Sequence, residues 1–118
     1  MIVLPIVMGV MALLSADSTP QDQYRMYFHG VFARTGQCEK PDQLWTFEAR
    51  RMSKGRLTCA INNITATRNG AIRLQTKACT TQGTPVSAIT FTLDLVSDEV
   101  IEVVDGTGTY MLRRCRAY

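Results

Sequence analysis

The sequence predicts an all-β fold: a single small antiparallel β-barrel or sandwich of about seven or eight up-and-down strands, preceded by a short helix. Three observations predict it. Apolar side chains recur at every second position through much of the chain, which is the period of strands that bury one face. Short turn signals separate these runs at hairpin spacing. The length, 118 residues with 46% hydrophobic and 19% charged side chains, suits one compact core and excludes a disordered tail.

The chain opens with an apolar run from Ile2 to Leu14, interrupted by Pro5 and Gly9 and followed by Ser15, Ala16, Asp17 and Ser18. This is the hydrophobic region of a signal peptide, with small-residue exits after Ala16 and after Ser18. Residues 1–18 are expected to be a signal peptide or N-terminal anchor, and residues 19–118 a disulfide-bonded β domain. No Lys or Arg precedes the apolar run, so an uncleaved anchor and a buried element of a cytosolic domain are the alternatives. No cysteine closes the run, which removes a lipid anchor. The run is shorter than the roughly 18–20 apolar residues of a membrane span.

Thr19-Pro20-Gln21-Asp22 reads as a helix start, with Thr as N-cap, Pro at the first helical position and an acid at the third. Tyr24, Tyr27 and Phe28 then share one helical face, and Gly30 ends the segment. Beyond Gly30 the period changes to two. Trp45, Phe47 and Ala49 alternate with polar residues, as do Ile89, Phe91, Leu93 and Leu95; Ile101 and Val103 flank Glu102, and Tyr110 and Leu112 flank Met111. Ser97-Asp98-Glu99 and Asp105-Gly106-Thr107-Gly108 supply turns between strands.

Arg68-Asn69-Gly70 sets the register of a further hairpin. A two-residue Asn-Gly loop puts Ile64 and Leu74 on different faces. A three-residue loop with Gly70 in the left-handed region pairs Thr67 with Ala71, so that Ile64 faces Leu74 and Ala66 faces Ile72. The second register buries the apolar side chains together and is preferred. Continued outward, it brings Cys59 opposite Cys79. Leu57, Cys59 and Ile61 lie out of phase with Ile64, however, so a bulge is expected near Asn62-Asn63, and a bulge shifts the pairing by one.

The four cysteines, Cys38, Cys59, Cys79 and Cys115, are separated by 21, 20 and 36 positions. An even number in a short exported chain reads as two disulfides, Cys59–Cys79 from the register and Cys38–Cys115 by elimination. Free buried thiols are the alternative if the chain stays in the cytosol. A structural zinc site needs close ligand pairs, which are missing here, and the chain has one histidine. No metal and no cofactor are expected.

Gly30-Val31-Phe32 after a helical turn, with Arg113-Arg114-Cys115 near the end of the chain, resembles the calycin pattern of lipocalin-like small barrels. In that family a Gly-x-Trp opens the first strand and an arginine from the last strand packs across the aromatic ring; Phe32 stands here where the family has Trp. The Gly-x-aromatic before a cysteine is also similar to small periplasmic metalloprotease inhibitors built on short calycin-like barrels, and the cysteine pattern to small bacterial periplasmic proteins of unknown function. The likeness covers Gly30 to Cys38 and the last few residues. It implies a closed barrel.

No catalytic constellation is legible, and no enzyme is expected. His29, the one histidine, sits at the helix-to-strand junction and lacks the neighbours of a nucleophilic site. Asp94, Asp98, Glu99, Glu102 and Asp105 alternate with apolar residues or occupy turns, as a solvated face does, so a glycosidase pair is not indicated. Gly106-x-Gly108 lies between strands and is not a phosphate loop. Asn63-Ile64-Thr65 matches a glycosylation acceptor, of consequence only in a pathway that glycosylates. Met26, Met52 and Met111 are spaced as core fillers rather than as soft-metal ligands.

Charge is uneven. The formal net charge is +3, and ten of the thirteen basic residues lie between Arg25 and Lys77. Arg50, Arg51, Lys54 and Arg56 surround the turn at Ser53-Lys54-Gly55 and form the expected partner-binding tip, suited to an envelope or secreted protein with an acidic surface; an ordinary solvated basic loop is the plainer reading. Nucleic acid is disfavoured, because Trp45 and Phe47 fall on the apolar face rather than beside the bases. A membrane enters only through an uncleaved leader. The expected function is an exported, periplasmic or secreted, non-enzymatic binding module that inhibits a secreted or envelope hydrolase. The alternatives are a calycin-type carrier of a small ligand and, if the chain is not exported, a cytosolic nucleic-acid-binding barrel.

Overall fold

The computed structural model describes residues 19–116; the expected leader lies outside that range. Thr19 is an extended N-cap whose Oγ1 accepts the Asp22 N–H at 3.1 Å, and Pro20–Gln23 forms helix α1. The helix widens into a π-helical turn over Tyr24–Phe28 before His29 becomes extended. The widening corrects the expected face. In a wider turn residue i+4 returns over residue i while i+3 swings away. Tyr24 and Phe28 are therefore buried and Tyr27 is exposed.

Nine strands follow: β1 (Gly30–Ala33), β2 (Trp45–Phe47), β3 (Arg51–Lys54), β4 (Leu57–Ala66), β5 (Ile72–Thr81), β6 (Thr84–Pro85), β7 (Thr90–Leu95), β8 (Val100–Asp105) and β9 (Gly108–Arg114). All pairings are antiparallel. The meander runs through β1–β5 and β7–β9, and β9 returns to pair with β1, so eight strands close a barrel while β6 adds to β5 outside it. Closure leaves the barrel strands without a free edge. The architecture is compatible with a calycin-like barrel.

The hairpin of β4 and β5 takes the three-residue loop: Ala66 faces Ile72, Ile64 faces Leu74, and Gly70 has φ +86°. Two bulges interrupt it. Asn62 is extra on β4, which lets Leu57, Cys59 and Ile61 face inward on one side of it and Ile64 on the other. Ala78, at φ +51°, is extra on β5. Each bulge slips the register by one and the second restores what the first removed, so Leu57 again faces Thr81 as the outer register requires. Cys59 and Cys79 then bridge in the buried core, with Cα atoms 4.1 Å apart. Cys38, exposed, and Cys115, half-buried, join the loop after β1 to the residue following β9. Two disulfides in so small a chain fit an oxidising, non-cytosolic compartment.

The barrel interior is filled. Phe32, Trp45, Phe47, Met52, Phe91, Leu93, Ile101, Val103 and Leu112 are each at most 4% exposed and belong to one cluster. Trp45 packs against Phe47, Phe91 and Tyr110 at ring separations of 6.3, 6.1 and 5.1 Å. Tyr24 and Phe28 close one end from the helix, with the Tyr24 hydroxyl donating to the Glu48 carbonyl at 2.6 Å.

Candidate functional site

The two ends of the barrel differ, and the inward side chains at each end decide how. At the helix-capped end, Arg114 on β9 points inward over the Phe32 ring, 4.6 Å from its centroid. Its guanidinium donates to the carbonyls of His29 at 2.7 Å and Tyr27 at 2.9 Å, which ties the last strand to the end of the helical segment. Gly30, at φ +132°, is required here: a Cβ on it would stand 2.7 Å from Arg114 Nη1. The Gly-x-aromatic and the terminal arginine thus meet in space, with Phe32 under the guanidinium. His29 sits edge-on to Tyr24, with its Nε2 buried and unpartnered. Burial, and then the nearby Arg25 charge, hold its pKa below the ordinary histidine value, against a smaller opposing pull from Glu48.

At the open end, three polar residues stand in phase with the core. Lys54 follows Met52, Asp105 follows Val103, and Tyr110 precedes Leu112 on their strands. Lys54 Nζ donates to Asp105 Oδ2 at 3.3 Å and to the Tyr110 hydroxyl at 3.2 Å. Thr107 Oγ1 donates to Asp105 Oδ1 at 2.7 Å. With its proton so engaged, Thr107 accepts from Tyr110 at 2.9 Å, which makes a closed ring of four groups in which Lys54 donates both ways round and Asp105 accepts both ways round. The Lys54 ammonium also lies 4.7 Å from the Trp45 centroid and 4.3 Å from that of Tyr110, whose ring takes Arg34 at 5.1 Å.

The Asp105 side chain is only 4% exposed. Burial raises its pKa, but hydrogen bonds from the Thr107 side chain and backbone, together with the Lys54 charge, outweigh burial and bring it below the ordinary carboxylate value. Beside this ring opens a recess of about 340 Å³, lined by Lys54, Leu57, Ala88, Ile89, Asp105 and Thr107 among others. A second hollow, of about 520 Å³, lies around the Cys38–Cys115 bridge, Gly36 and Arg114.

The four basic residues read as one tip do not converge. Arg50 and Arg51 stand at the helix-capped end, where Arg51 pairs with Glu48 at 3.3 Å. Lys54 turns into the barrel mouth, and Arg56 reaches Asp42 at 3.7 Å. The reason is parity: strand β3 sends Met52 and Lys54 inward and Arg51 outward. The sequence pattern places Lys54 on the basic tip and Asp105 on a solvated acidic face, and gives no site role to Thr107 or Tyr110. Their signal was present, since a charged or phenolic residue in phase with apolar neighbours at a strand end must point into the barrel mouth. The late acids divide as well. Asp94 faces Glu102 across β7 and β8, while Glu99 pairs with Arg113 and Arg116. Among the described residues no group of three or more potential metal ligands converges.

Comparison with protein-family models, with curated proteins and with solved structures finds no match to the chain.

Proposed function

We propose that the chain is a periplasmic or secreted, non-enzymatic binding module that inhibits a secreted or envelope hydrolase. The observation that supports this most is the filled interior: with Phe32, Trp45, Phe47, Phe91 and Leu93 in mutual burial, recognition falls to the outer surface. The same packing weighs against a carrier that holds its ligand in the barrel. The open end supplies a rigid rim, because its charged groups are already fixed to one another and need little ordering on binding.

The two disulfides and the leader-like start of the sequence support export. The test is titration of the purified mature domain, residues 19–118, into separated secreted and envelope hydrolases of its host. The reading expects stoichiometric loss of one hydrolase activity. Unchanged activity of every hydrolase at saturating domain would refute it. Charge reversal at each end assigns the face: Arg56→Glu should slow association roughly three- to tenfold at low salt, while Arg50→Glu with Arg51→Glu should leave it unchanged.

A further inference from the structure

We infer that the exposed segment Thr84–Ala88, which opens with strand β6, is the inhibitory element that enters the cleft of an endopeptidase selective for small aliphatic side chains, with Val86 as the residue its specificity pocket takes. The inference rests on the inhibitor reading above and deepens it.

Four observations carry it. First, every residue from Thr81 to Ala88 is exposed, and Val86 is 41% exposed although apolar. Second, no charged side chain occurs between Lys77 and Asp94, in a chain that is 19% charged. An uncharged, β-branched and small-residue segment loses little desolvation energy on entering a narrow apolar cleft. Third, the segment is held at its middle and just beyond its end. The Val86 N–H donates to the Cys79 carbonyl at 2.9 Å, and Cys79 is bonded to Cys59 in the core. Just beyond Ala88, Thr76 Oγ1, itself buried, accepts the Ile89 N–H at 3.0 Å and donates to the Ile89 carbonyl at 2.5 Å. Fourth, Ser87 and Ala88 lie between the pairings of β6 and β7 and outside both, so neither ladder uses their backbone groups.

An endopeptidase recognises extended peptide by pairing with its backbone and seating alternate side chains in pockets. A segment tethered to the barrel beforehand binds with less of the ordering cost a flexible substrate bears. Ala88 and Ile89 also line the 340 Å³ recess, so segment and rim form one surface. The complex forms with no net bond cleavage.

The experiment uses the full mature chain with both disulfides verified by intact mass. It is titrated against three serine endopeptidases of small-aliphatic, basic and aromatic primary specificity. The expected result is tight inhibition of the first alone. Val86→Arg should move inhibition to the second by about a hundredfold or more, and Val86→Asp should abolish it; near-UV circular dichroism should show both variants folded. Absence of inhibition of the small-aliphatic enzyme overturns the inference, as does rapid cleavage after Val86 without inhibition. If a host hydrolase is inhibited and both variants leave that inhibition unchanged, the segment is excluded while the inhibitor reading stands.

Discussion

Asp105 shows how one side chain holds the open end. Its Oδ1 accepts the N–H groups of Thr107 and Gly108 as well as the Thr107 hydroxyl, which fixes the turn between β8 and β9, while Oδ2 takes Lys54. Because its folded-state pKa lies below the ordinary value of 3.8, its contribution is present above that value and lost as pH falls through the folded pKa. Asp105→Asn should therefore cost about 1–3 kcal/mol at neutral pH and flatten the acid limb of a stability-versus-pH curve measured by urea unfolding. A wild-type-shaped acid limb in the variant would contradict this. At the opposite end Gly30→Ala forces a methyl against Arg114 and a left-handed backbone on alanine. It should cost about 2 kcal/mol or more in the same measurement. Gly30, Phe32 and an arginine of the pair Arg113-Arg114 were legible from the calycin-like pattern, and strand parity gives Arg114 the inward place. The ring of Lys54, Tyr110, Thr107 and Asp105 was not, because it joins strand β3 to the β8–β9 hairpin, elements far apart in sequence that only barrel closure brings together.

The hairpin of β4 and β5 carries the closest agreement between sequence and structure, and also the clearest reason for its limits. The Asn-Gly turn and the apolar pairs set the inner register by local chemistry alone. One bulge was legible at Asn62-Asn63 from a change of phase. Its counterpart at Ala78 was not, because alanine in the left-handed region leaves no compositional mark. That bulge makes a sharp prediction. Ala78→Gly relieves the left-handed strain, about 1–2 kcal/mol, against a smaller unfolded-state entropy cost, and should raise stability by up to about 1 kcal/mol. The two disulfides differ by position. Cys59–Cys79 is buried, while Cys38–Cys115 borders an open hollow. Graded thiol reductant followed by alkylation and peptide mapping should label Cys38 and Cys115 first; earlier labelling of Cys59 and Cys79 would contradict the burial.

At the scale of the molecule, a short N-terminal helical segment, a meander and a returning last strand close a barrel around a cluster of buried aromatic and aliphatic side chains. The alternation of apolar residues made an all-β barrel or sandwich legible, since each strand declares its inner face, while closure was implied only by the calycin-like resemblance. Which basic residues share an end was not legible, because strand parity sends Lys54 inward and Arg51 outward. Bridges spanning 77 and 20 positions restrict the unfolded chain by about 3–5 kcal/mol each. Such a contribution requires that the chain reach a place where cysteines oxidise. The most direct measurement is the intact mass of the protein from its native host after alkylation without reductant. The account predicts a mature chain lacking its first eighteen residues, with all four cysteines unlabelled. A full-length chain carrying four alkyl groups would contradict it.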